Sequence, residues 1–328
     1  MEEVISLAGG RKSHKLVSYA KYGYIFILPF FLVYGFFMIW PLINTIILSF
    51  KGNGSAPDTW VGFQNYQWLL FGDSSSQFSP GAVAQKAFFG TLGNTIILWI
   101  GNFIVQIILS LLLAVWFSDV RIKIKGTGFF KVVMYLPNII MAASVAAIFL
   151  MIFNPSQFGV VNSLALKNGW FLDPYPFLEK KWVIRVIVMF VQSWLWFGNT
   201  MLLLLSGIFG IDPSIYEAAS IDGSSGANTF FRITMPILKP IFLYVVITSL
   251  IGGLQMFDIP YLLHTGTSVS DNVRTTAVYI YQQFHNSVPN YGLSSAASVI
   301  LFIITLILGV FVMRFNKDST APVKKRKK

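Results

Sequence analysis

The stretch Tyr22–Phe50 reads YGYIFILPFFLVYGFFMIWPLINTIILSF and contains no charged side chain. Roughly 20 helical residues are enough to cross the ~30 Å hydrocarbon core of a bilayer, so this stretch can form one membrane-spanning helix. Five further stretches are long and apolar in the same way. We therefore predict an all-α polytopic membrane protein with six transmembrane helices, over Tyr22–Phe50, Thr91–Phe117, Phe129–Phe153, Trp182–Phe209, Ile241–Leu263 and Leu293–Met313.

Composition supports this interpretation, because 55% of the 328 residues are hydrophobic and only 11% are charged. Soluble domains carry about 25% charged residues. The chain has no cysteine and its three histidines lie far apart, so neither a disulfide framework nor a metal site is expected. No phosphate-binding loop is present, and the sequence at Gly9–Ser13 lacks the spacing of one. We expect no cofactor on this chain, and any ATP must bind to another chain.

The first predicted helix follows a basic stretch, as the apolar core of a secretory signal peptide does. Its apolar run is far longer than the ~7–15 residues of a signal peptide, and no small-residue cleavage site follows it. We therefore expect a retained helix. Pro29 and Pro41 each lack a backbone donor, so the helix is expected to kink or unwind at these positions.

The net charge of +11 arises from basic residues that flank the apolar runs and from the tail Lys324–Lys328. This pattern favours contact with anionic lipid headgroups over nucleic-acid binding. With both termini in the cytoplasm, 17 of the 24 Lys and Arg residues lie on the cytoplasmic side, in agreement with the positive-inside rule. The predicted organisation is a cytoplasmic segment at 1–21, a transmembrane domain at 22–314 and a basic cytoplasmic tail at 315–328.

The predicted cytoplasmic loop between helices 4 and 5, residues 212–240, is patterned rather than disordered. Asp212-Pro213 is typical of a helix start, because the carboxylate caps free amides and proline suits the first turn. We predict a short helix over Ser214–Ile221 that is broken at Gly223, and a second short helix over Ala227–Pro236. Two short helices at an angle would form a helix-loop-helix that fits a groove on a partner.

This loop resembles the coupling motif of permeases from bacterial ATP-binding-cassette importers, which runs Glu-Ala-Ala, three residues, Gly, nine residues, Ile, one residue, Leu, Pro. The chain has Glu217-Ala218-Ala219, Gly223, Ile233 and Pro236 at this spacing, with Met235 where leucine is usual. Other stretches resemble the sugar permeases of this class, especially the first permease of the maltose type. They are Phe63–Tyr66, Asn94-Thr95, Leu136-Pro137, Gly159–Asn162, Phe257–Tyr261, Tyr291-Gly292 and Ala296-Ala297. After helix 5 the family often has Thr-x-Gly-Gly-Pro, whereas this chain has His264-Thr265-Gly266-Thr267, so contacts there are expected to differ.

The resemblance implies a transport subunit of a bacterial plasma membrane that is not itself an enzyme. Its partners would be a second homologous permease, two ATPase subunits that bind ATP and Mg, and an extracytoplasmic solute-binding protein that delivers a sugar or oligosaccharide. The resemblance also implies which residues couple the chain to the ATPase subunits: Glu217, Ala218, Ala219, Asp222, Gly223, Ile233 and Pro236. Glu217 has a second interpretation, as a solvated carboxylate near a helix N-terminus.

A sugar is neutral and rich in hydroxyl groups, so its site needs hydrogen-bonding side chains and aromatic faces rather than charges. Two helix faces meet this requirement and are predicted to line the pathway: Gln192, Trp196 and Asn199 in helix 4, and Ser249, Gly252, Gly253 and Met256 in helix 5. An equal alternative for any one of them is an amide that bridges helices or a glycine that lets helices pack closely.

The remaining polar residues of the spans are given other roles. Asp258 and Tyr261 are candidates for an outer gate, with Gln255 also expected further out than the pathway. Arg185 is expected to extend to the outer headgroups. Asn94, Asn102 and Gln106 are expected to join helices rather than to bind substrate.

Two other functions are consistent with six helices. An importer for polyamines, phosphonates or peptides would call for counter-charges within the membrane, and none is evident beyond Asp258 and Arg185. A channel or secondary transporter would need coupling carboxylates at mid-membrane, which the predicted spans lack.

Overall fold

The computed structural model describes residues 20–54, 56–73, 76–119, 125–264 and 270–317. Every regular element among them is a helix, apart from one isolated antiparallel bridge between Lys51 and Trp60. The predictions for 1–19, for the basic loop at 120–124, for Thr265–Thr267 and for the tail at 318–328 lie outside these residues. The helices are α1 (Ala20–Tyr34), α2 (Trp40–Leu48), α3 (Gln64–Leu70), α4 (Pro80–Ser118), α5 (Thr127–Tyr135), α6 (Ala142–Ile152), α7 (Val160–Lys167), α8 (Lys181–Phe209), α9 (Pro213–Ile221), α10 (Gly226–Thr229), α11 (Met235–Leu254), α12 (Asp258–Leu262), α13 (Thr276–His285) and α14 (Tyr291–Lys317).

The chain divides into two units, Met1–Ile47 and Leu48–Lys328, which we describe separately. The first unit contains α1, which continues through a π-helical turn at Gly35–Ile39 into α2. This turn lies just before Pro41, where the wider helix accommodates a residue that cannot donate a backbone hydrogen bond. The predicted local unwinding is therefore found at Pro41, whereas α1 passes through Pro29 without a change of helix type.

In the second unit, α4, α8, α14 and the run Gly226–Leu262 are long and apolar enough to cross a membrane. Together with Tyr22–Leu48 they make five such helices among the described residues, and a bent pair adds a sixth if it forms one span. α4 begins at Pro80 rather than near Thr91, because the Ser79 hydroxyl accepts a hydrogen bond from the Ala82 N–H at 3.3 Å and caps the helix. Its 39 residues extend over about 58 Å, so hydropathy had located only its apolar part.

The third predicted span, Phe129–Phe153, is not a straight helix. α5 and α6 meet at 90°, with a 3₁₀ turn at Leu136–Ile139 between them. Pro137 lies in this turn, where its missing N–H breaks the α-helical pattern. α8 packs closely against the end of α5, since a Cβ on Gly198 would collide with the Met134 carbonyl. A proline therefore lies shortly before the bend, and a glycine lets α8 approach the helix that leads into it.

The loop before the fifth span differs from the predicted pair of short helices. α9 agrees with the prediction, but α10 continues through a second π-helical turn at Phe230–Thr234 into α11. This turn again lies just before a proline, Pro236, so the helix passes the proline instead of ending there. α11 then ends at Leu254, before the predicted Leu263, and residues 255–257 separate it from α12.

α4 and α8 form the central helix pair of this unit. Gln106 Nε2 donates to the Thr200 hydroxyl at 2.7 Å, and the Ser193 hydroxyl donates to the Asn102 carbonyl at 2.9 Å. Small and polar residues of this kind hold helices together where lipid offers no polar partner. The expectation that Gln106 joins helices is confirmed, whereas Asn102 contributes through its main chain.

Arg185 is only 6% exposed, so the prediction that it extends to the headgroups was wrong. Its Nε donates to the Asn272 carbonyl at 2.9 Å and its Nη2 donates to Asn94 Oδ1 at 2.5 Å. Asn94 Nδ2 in turn donates to the Asp271 carbonyl at 2.7 Å. The segment before α13 folds over the guanidinium and supplies acceptors, and Asn94 joins elements as predicted.

Candidate functional site

A cavity of about 710 Å³ lies among α4, α8, α11 and the break at residues 255–257. All seven predicted pathway residues line it, namely Gln192, Trp196, Asn199, Ser249, Gly252, Gly253 and Met256. Two helix faces that are far apart in sequence thus meet on one cavity. Small-molecule sites typically enclose about 300–1,000 Å³, so the volume suits a solute.

α8 presents an aromatic surface between two amides. Trp196 is 50% exposed, so much of its indole ring is accessible, and Asn199 is exposed as well. Gln192 is 8% exposed and lies at the buried edge of the same helix face. Positions three and four residues apart share a face, which explains why all three reach one cavity.

The two glycines of α11 have different surroundings. A Cβ at Gly252 would have no other atom within 4 Å, whereas a Cβ at Gly253 would collide with the indole ring of Trp99. Trp99 Nε1 also donates to the Ser249 hydroxyl at 3.2 Å. Gly253 and Ser249 therefore hold Trp99 against α11, as the helix-packing alternative proposed, and Gly252 leaves space in the cavity.

The break after α11 brings in residues that we expected to lie further out. Gln255 and Asp258 both line the cavity, because the chain turns at residues 255–257 instead of continuing as a straight helix. The Met256 carbonyl accepts a hydrogen bond from the Thr275 hydroxyl at 2.7 Å, and Met256 is only 5% exposed. Met256 therefore serves mainly to anchor the break.

Tyr261, the second candidate for a gate, does not line the cavity. Its ring stacks on Phe257, with ring centroids 4.9 Å apart, and packs edge-on against Tyr281 at 5.1 Å. Phe257 itself lines the cavity, so Tyr261 supports a wall residue from behind. A gating role for Asp258 and Tyr261 stays a prediction.

The cavity contains further hydrogen-bonding residues that sequence reasoning missed or assigned elsewhere. They are Asn102, Gln106, Asn138, Thr200, Tyr244 and Thr248. Tyr244, Thr248 and Gly252 follow one another at intervals of four residues along α11, so they share one helix face. Extending the predicted face from Gly252 toward the start of the helix would have identified Thr248 and Tyr244. Asn138 had no such signal, because the 90° bend brings it to the cavity, where its Nδ2 donates to the Leu195 carbonyl at 3.2 Å.

The lining of the cavity is almost uncharged. Asp258 supplies its single carboxylate among the described residues, and no Lys, Arg or His lines it there. The other polar groups are amides and hydroxyls, which donate and accept hydrogen bonds without carrying charge. The arrangement can form hydrogen bonds with a neutral, hydroxyl-rich solute.

α9 is capped at both ends. The Ser214 N–H donates to Asp212 Oδ1 at 2.9 Å, and this bond lowers the pKa of Asp212. At the other end Gly223 has a φ of +71°, and the Ser224 N–H donates to the Ala219 carbonyl at 2.9 Å. A Cβ at Gly223 would meet nothing within 4 Å, so the left-handed backbone, rather than space, requires glycine there.

The predicted coupling residues do not all face outward. Glu217, Ala218, Asp222, Gly223 and Pro236 are exposed, and Ile233 is half-buried. Ala219 is 6% exposed, so its small side chain serves packing within this chain, which differs from the prediction that it contacts a partner. Two apolar side chains, Ile221 at 87% and Phe231 at 69%, are strongly exposed on the same loop.

Comparisons with known proteins agree with this architecture. Residues 106–318 match the family described as binding-protein-dependent transport system inner membrane component. The chain is 28% identical to the arabinooligosaccharides transport system permease protein of Bacillus subtilis (strain 168), over 89% of this chain and 88% of that protein. It is 27% identical to the lactose transport system permease protein of Rhizobium radiobacter, over 87% of this chain and 91% of that protein.

A solved structure also shares the fold. It is the crystal structure of a bacterial ABC transporter involved in the import of the acidic polysaccharide alginate, with a TM-score of 0.76 and 24% identity over 92% of this chain and 96% of that chain. Several membrane-spanning helices and a match over most of the chain lead to one conclusion. This multi-pass membrane protein belongs to the family of binding-protein-dependent transport system inner membrane components.

Proposed function

We propose that the chain is a permease subunit of an ATP-binding-cassette importer for a neutral sugar or oligosaccharide, and that the cavity of about 710 Å³ is its part of the translocation pathway. The observation that carries this proposal is the lining, which combines amides, hydroxyls and an indole ring with a single charged side chain among the described residues. Such a lining replaces the hydrogen bonds of a sugar to water without burying unpaired charge. The relatives named for arabinooligosaccharide and lactose transport support this class of cargo.

A second homologous permease would complete the pathway. The coupling loop, defined as residues 212–240, would dock on one of two ATPase subunits that bind ATP and Mg. Ile221 and Phe231 supply exposed apolar surface for such a contact, with the carboxylates of Glu217 and Asp222 beside them. Apolar anchors surrounded by polar groups are typical of protein interfaces.

The remaining parts of the proposal follow from the family and from the charge pattern. The family description supports an extracytoplasmic solute-binding protein as a further partner. The distribution of Lys and Arg favours both termini in the cytoplasm of a bacterium, with the coupling loop on the same side.

Asp258 favours one alternative cargo, a solute that carries a positive charge. Its carboxylate lines the cavity and is exposed there. In Asp258→Asn a neutral sugar should still be transported, whereas uptake of a cationic solute should fall sharply because its counter-charge is gone.

Two measurements test the proposal. Purification of the full chain from its native membrane should recover an ATPase and a second permease, and their absence would contradict an importer. Sugar uptake by that assembly should show a half-saturating concentration roughly fivefold higher in Asn199→Ala, from one lost hydrogen bond of about 1 kcal/mol. Trp196→Ala should weaken uptake too, whereas Trp170→Ala, a 74% exposed tryptophan away from the cavity, should leave it unchanged. Normal uptake in both cavity variants would show that another face binds the sugar.

A further inference from the structure

A second cavity, of about 620 Å³, lies at the start of α8, at the end of that helix opposite to the coupling loop. Among the described residues, four cationic side chains line it, those of Lys86, Lys181, Arg185 and Arg274, against the single carboxylate of Asp271. The proposed transport function makes no use of this cavity.

Two of the cations are held in place by the fold. Arg185 is buried and bonded to Asn94 and to the Asn272 carbonyl, as described above. Arg274 Nη2 forms an ion pair with Asp271 at 3.0 Å, but its buried Nε has no hydrogen-bond partner among the described residues. Only the accessible part of this guanidinium can therefore meet an anion in the cavity.

A neighbouring phenol does not neutralise this charge. The Tyr279 hydroxyl is also buried without a partner among the described residues. Burial raises the pKa of Tyr279 to about 12, although the charge of Arg274 acts in the opposite direction. The phenol therefore stays uncharged at physiological pH, and the cavity keeps its excess of positive charge.

The end of α8 strengthens the attraction for an anion. This helix of 29 residues has no acidic residue in its first turn, and its N-cap residue, Lys180, supplies no side-chain acceptor, although the exposed carboxylate of Glu179 directly precedes the cap. The first backbone N–H groups of such a helix, together with its dipole, favour negative charge.

The cavity lies at the edge of the apolar part of the helices. Its lining reaches from Lys86 to Asn94 on α4 and from Lys181 to Arg185 on α8, so it spans the points at which the apolar parts of both helices begin. Trp182, which is 63% exposed, follows Lys181 there. A lipid headgroup lies at this depth while its acyl chains continue along the apolar part of the helices. Tryptophan at the end of a span is typical of the headgroup region.

We propose that this basic cavity binds the phosphate headgroup of an anionic phospholipid, with the acyl chains beside Trp182 and along the apolar part of α4 that begins near Thr91. The phosphate lies between the guanidinium of Arg274 and the ammonium groups of Lys86 and Lys181. The proposal does not depend on the identity of the transported solute.

The test compares lipid binding by the full chain in detergent, measured by native mass spectrometry, for phosphatidylglycerol and phosphatidylcholine with the same acyl chains. Phosphatidylglycerol should bind more tightly. Because each basic residue near an anionic lipid contributes about 1 kcal/mol, Lys86→Gln and Lys181→Gln should each weaken its binding roughly fivefold, and together about 25-fold. Both lysines are exposed, so the variants should fold.

A matched control removes the same charge elsewhere. Lys167→Gln changes an exposed lysine that does not line the cavity, and it should leave lipid binding unchanged. Equal binding of the two lipids, or a loss in Lys167→Gln equal to the loss in Lys86→Gln or Lys181→Gln, would overturn the proposal. A thermal stabilisation by inorganic phosphate alone, to which phosphatidylglycerol adds nothing, would assign the cavity to the free ion and also overturn it.

Discussion

Gly252 and Gly253 are adjacent in α11, yet only Gly253 is required by packing. The indole ring of Trp99 occupies the space where a Cβ of residue 253 would lie, whereas the space beside Gly252 is open cavity. The sequence marked both as pathway residues because small residues at this spacing serve packing and pathways equally well. The difference depends on which neighbour each one meets.

The two glycines provide a paired prediction. Gly253→Ala should lower stability by about 1–3 kcal/mol, the usual cost of overpacking. Gly252→Ala meets no clash, and it should leave stability unchanged or slightly raised because alanine favours helices. Its methyl group would occupy space in the cavity, so it should raise the half-saturating sugar concentration. Thermal unfolding in detergent and sugar uptake measure the two effects. Equal loss of stability in both variants would contradict the structure.

At the scale of helices, Arg185 connects three elements of the fold. Its guanidinium on α8 bonds to Asn94 on α4 and to the segment before α13. Arg185 is 6% exposed, so these bonds replace most of its hydrogen bonds to water. They link the three elements at this end of the molecule.

Removal of this link should be costly. Arg185→Ala should lower stability by about 2 kcal/mol, because hydrogen bonds to a charged group contribute about 1.5–3 kcal/mol. The control residue is Lys180, the exposed N-cap residue of α8, which lies five positions before Arg185. Lys180→Ala should change stability by less than about 0.5 kcal/mol. The unfolding temperatures of the two variants, measured in the same detergent, compare these effects. Equal unfolding temperatures would show that the hydrogen bonds of Arg185 contribute nothing to stability.

The turn after α9 depends on a left-handed residue. Gly223 adopts a φ of +71° with no side chain nearby, so a substitution acts through backbone strain alone. Gly223→Ala should cost about 1–2 kcal/mol and should reduce the stimulation of the partner ATPase by the loaded binding protein. Asparagine tolerates this conformation better, so Gly223→Asn should keep more of the stimulation. Identical stimulation in alanine and asparagine variants would remove the turn from the coupling mechanism.

At the scale of the whole molecule, the proposed orientation predicts which surfaces face the cytoplasm. The chain has no cysteine, so a single introduced thiol reports on one position. Ala227→Cys in the coupling loop and Gln157→Cys between α6 and α7 replace exposed residues. A membrane-impermeant maleimide should label residue 227 only in inverted vesicles and residue 157 only from the outside of the cell. The reverse pattern would place the coupling loop outside and end its proposed role.

The sequence by itself determined the all-helical membrane fold, because long uncharged runs have no stable alternative to spanning helices in lipid. It also located α9 and its caps, and seven of the residues that line the cavity, because cap chemistry and helical periodicity are local properties. Only the tertiary structure decided the 90° bend after α5, the burial of Arg185, the separate tasks of Gly252 and Gly253, and the return of Gln255 and Asp258 to the cavity. Each of these depends on a contact between segments distant along the chain, and no local pattern specifies which surfaces meet.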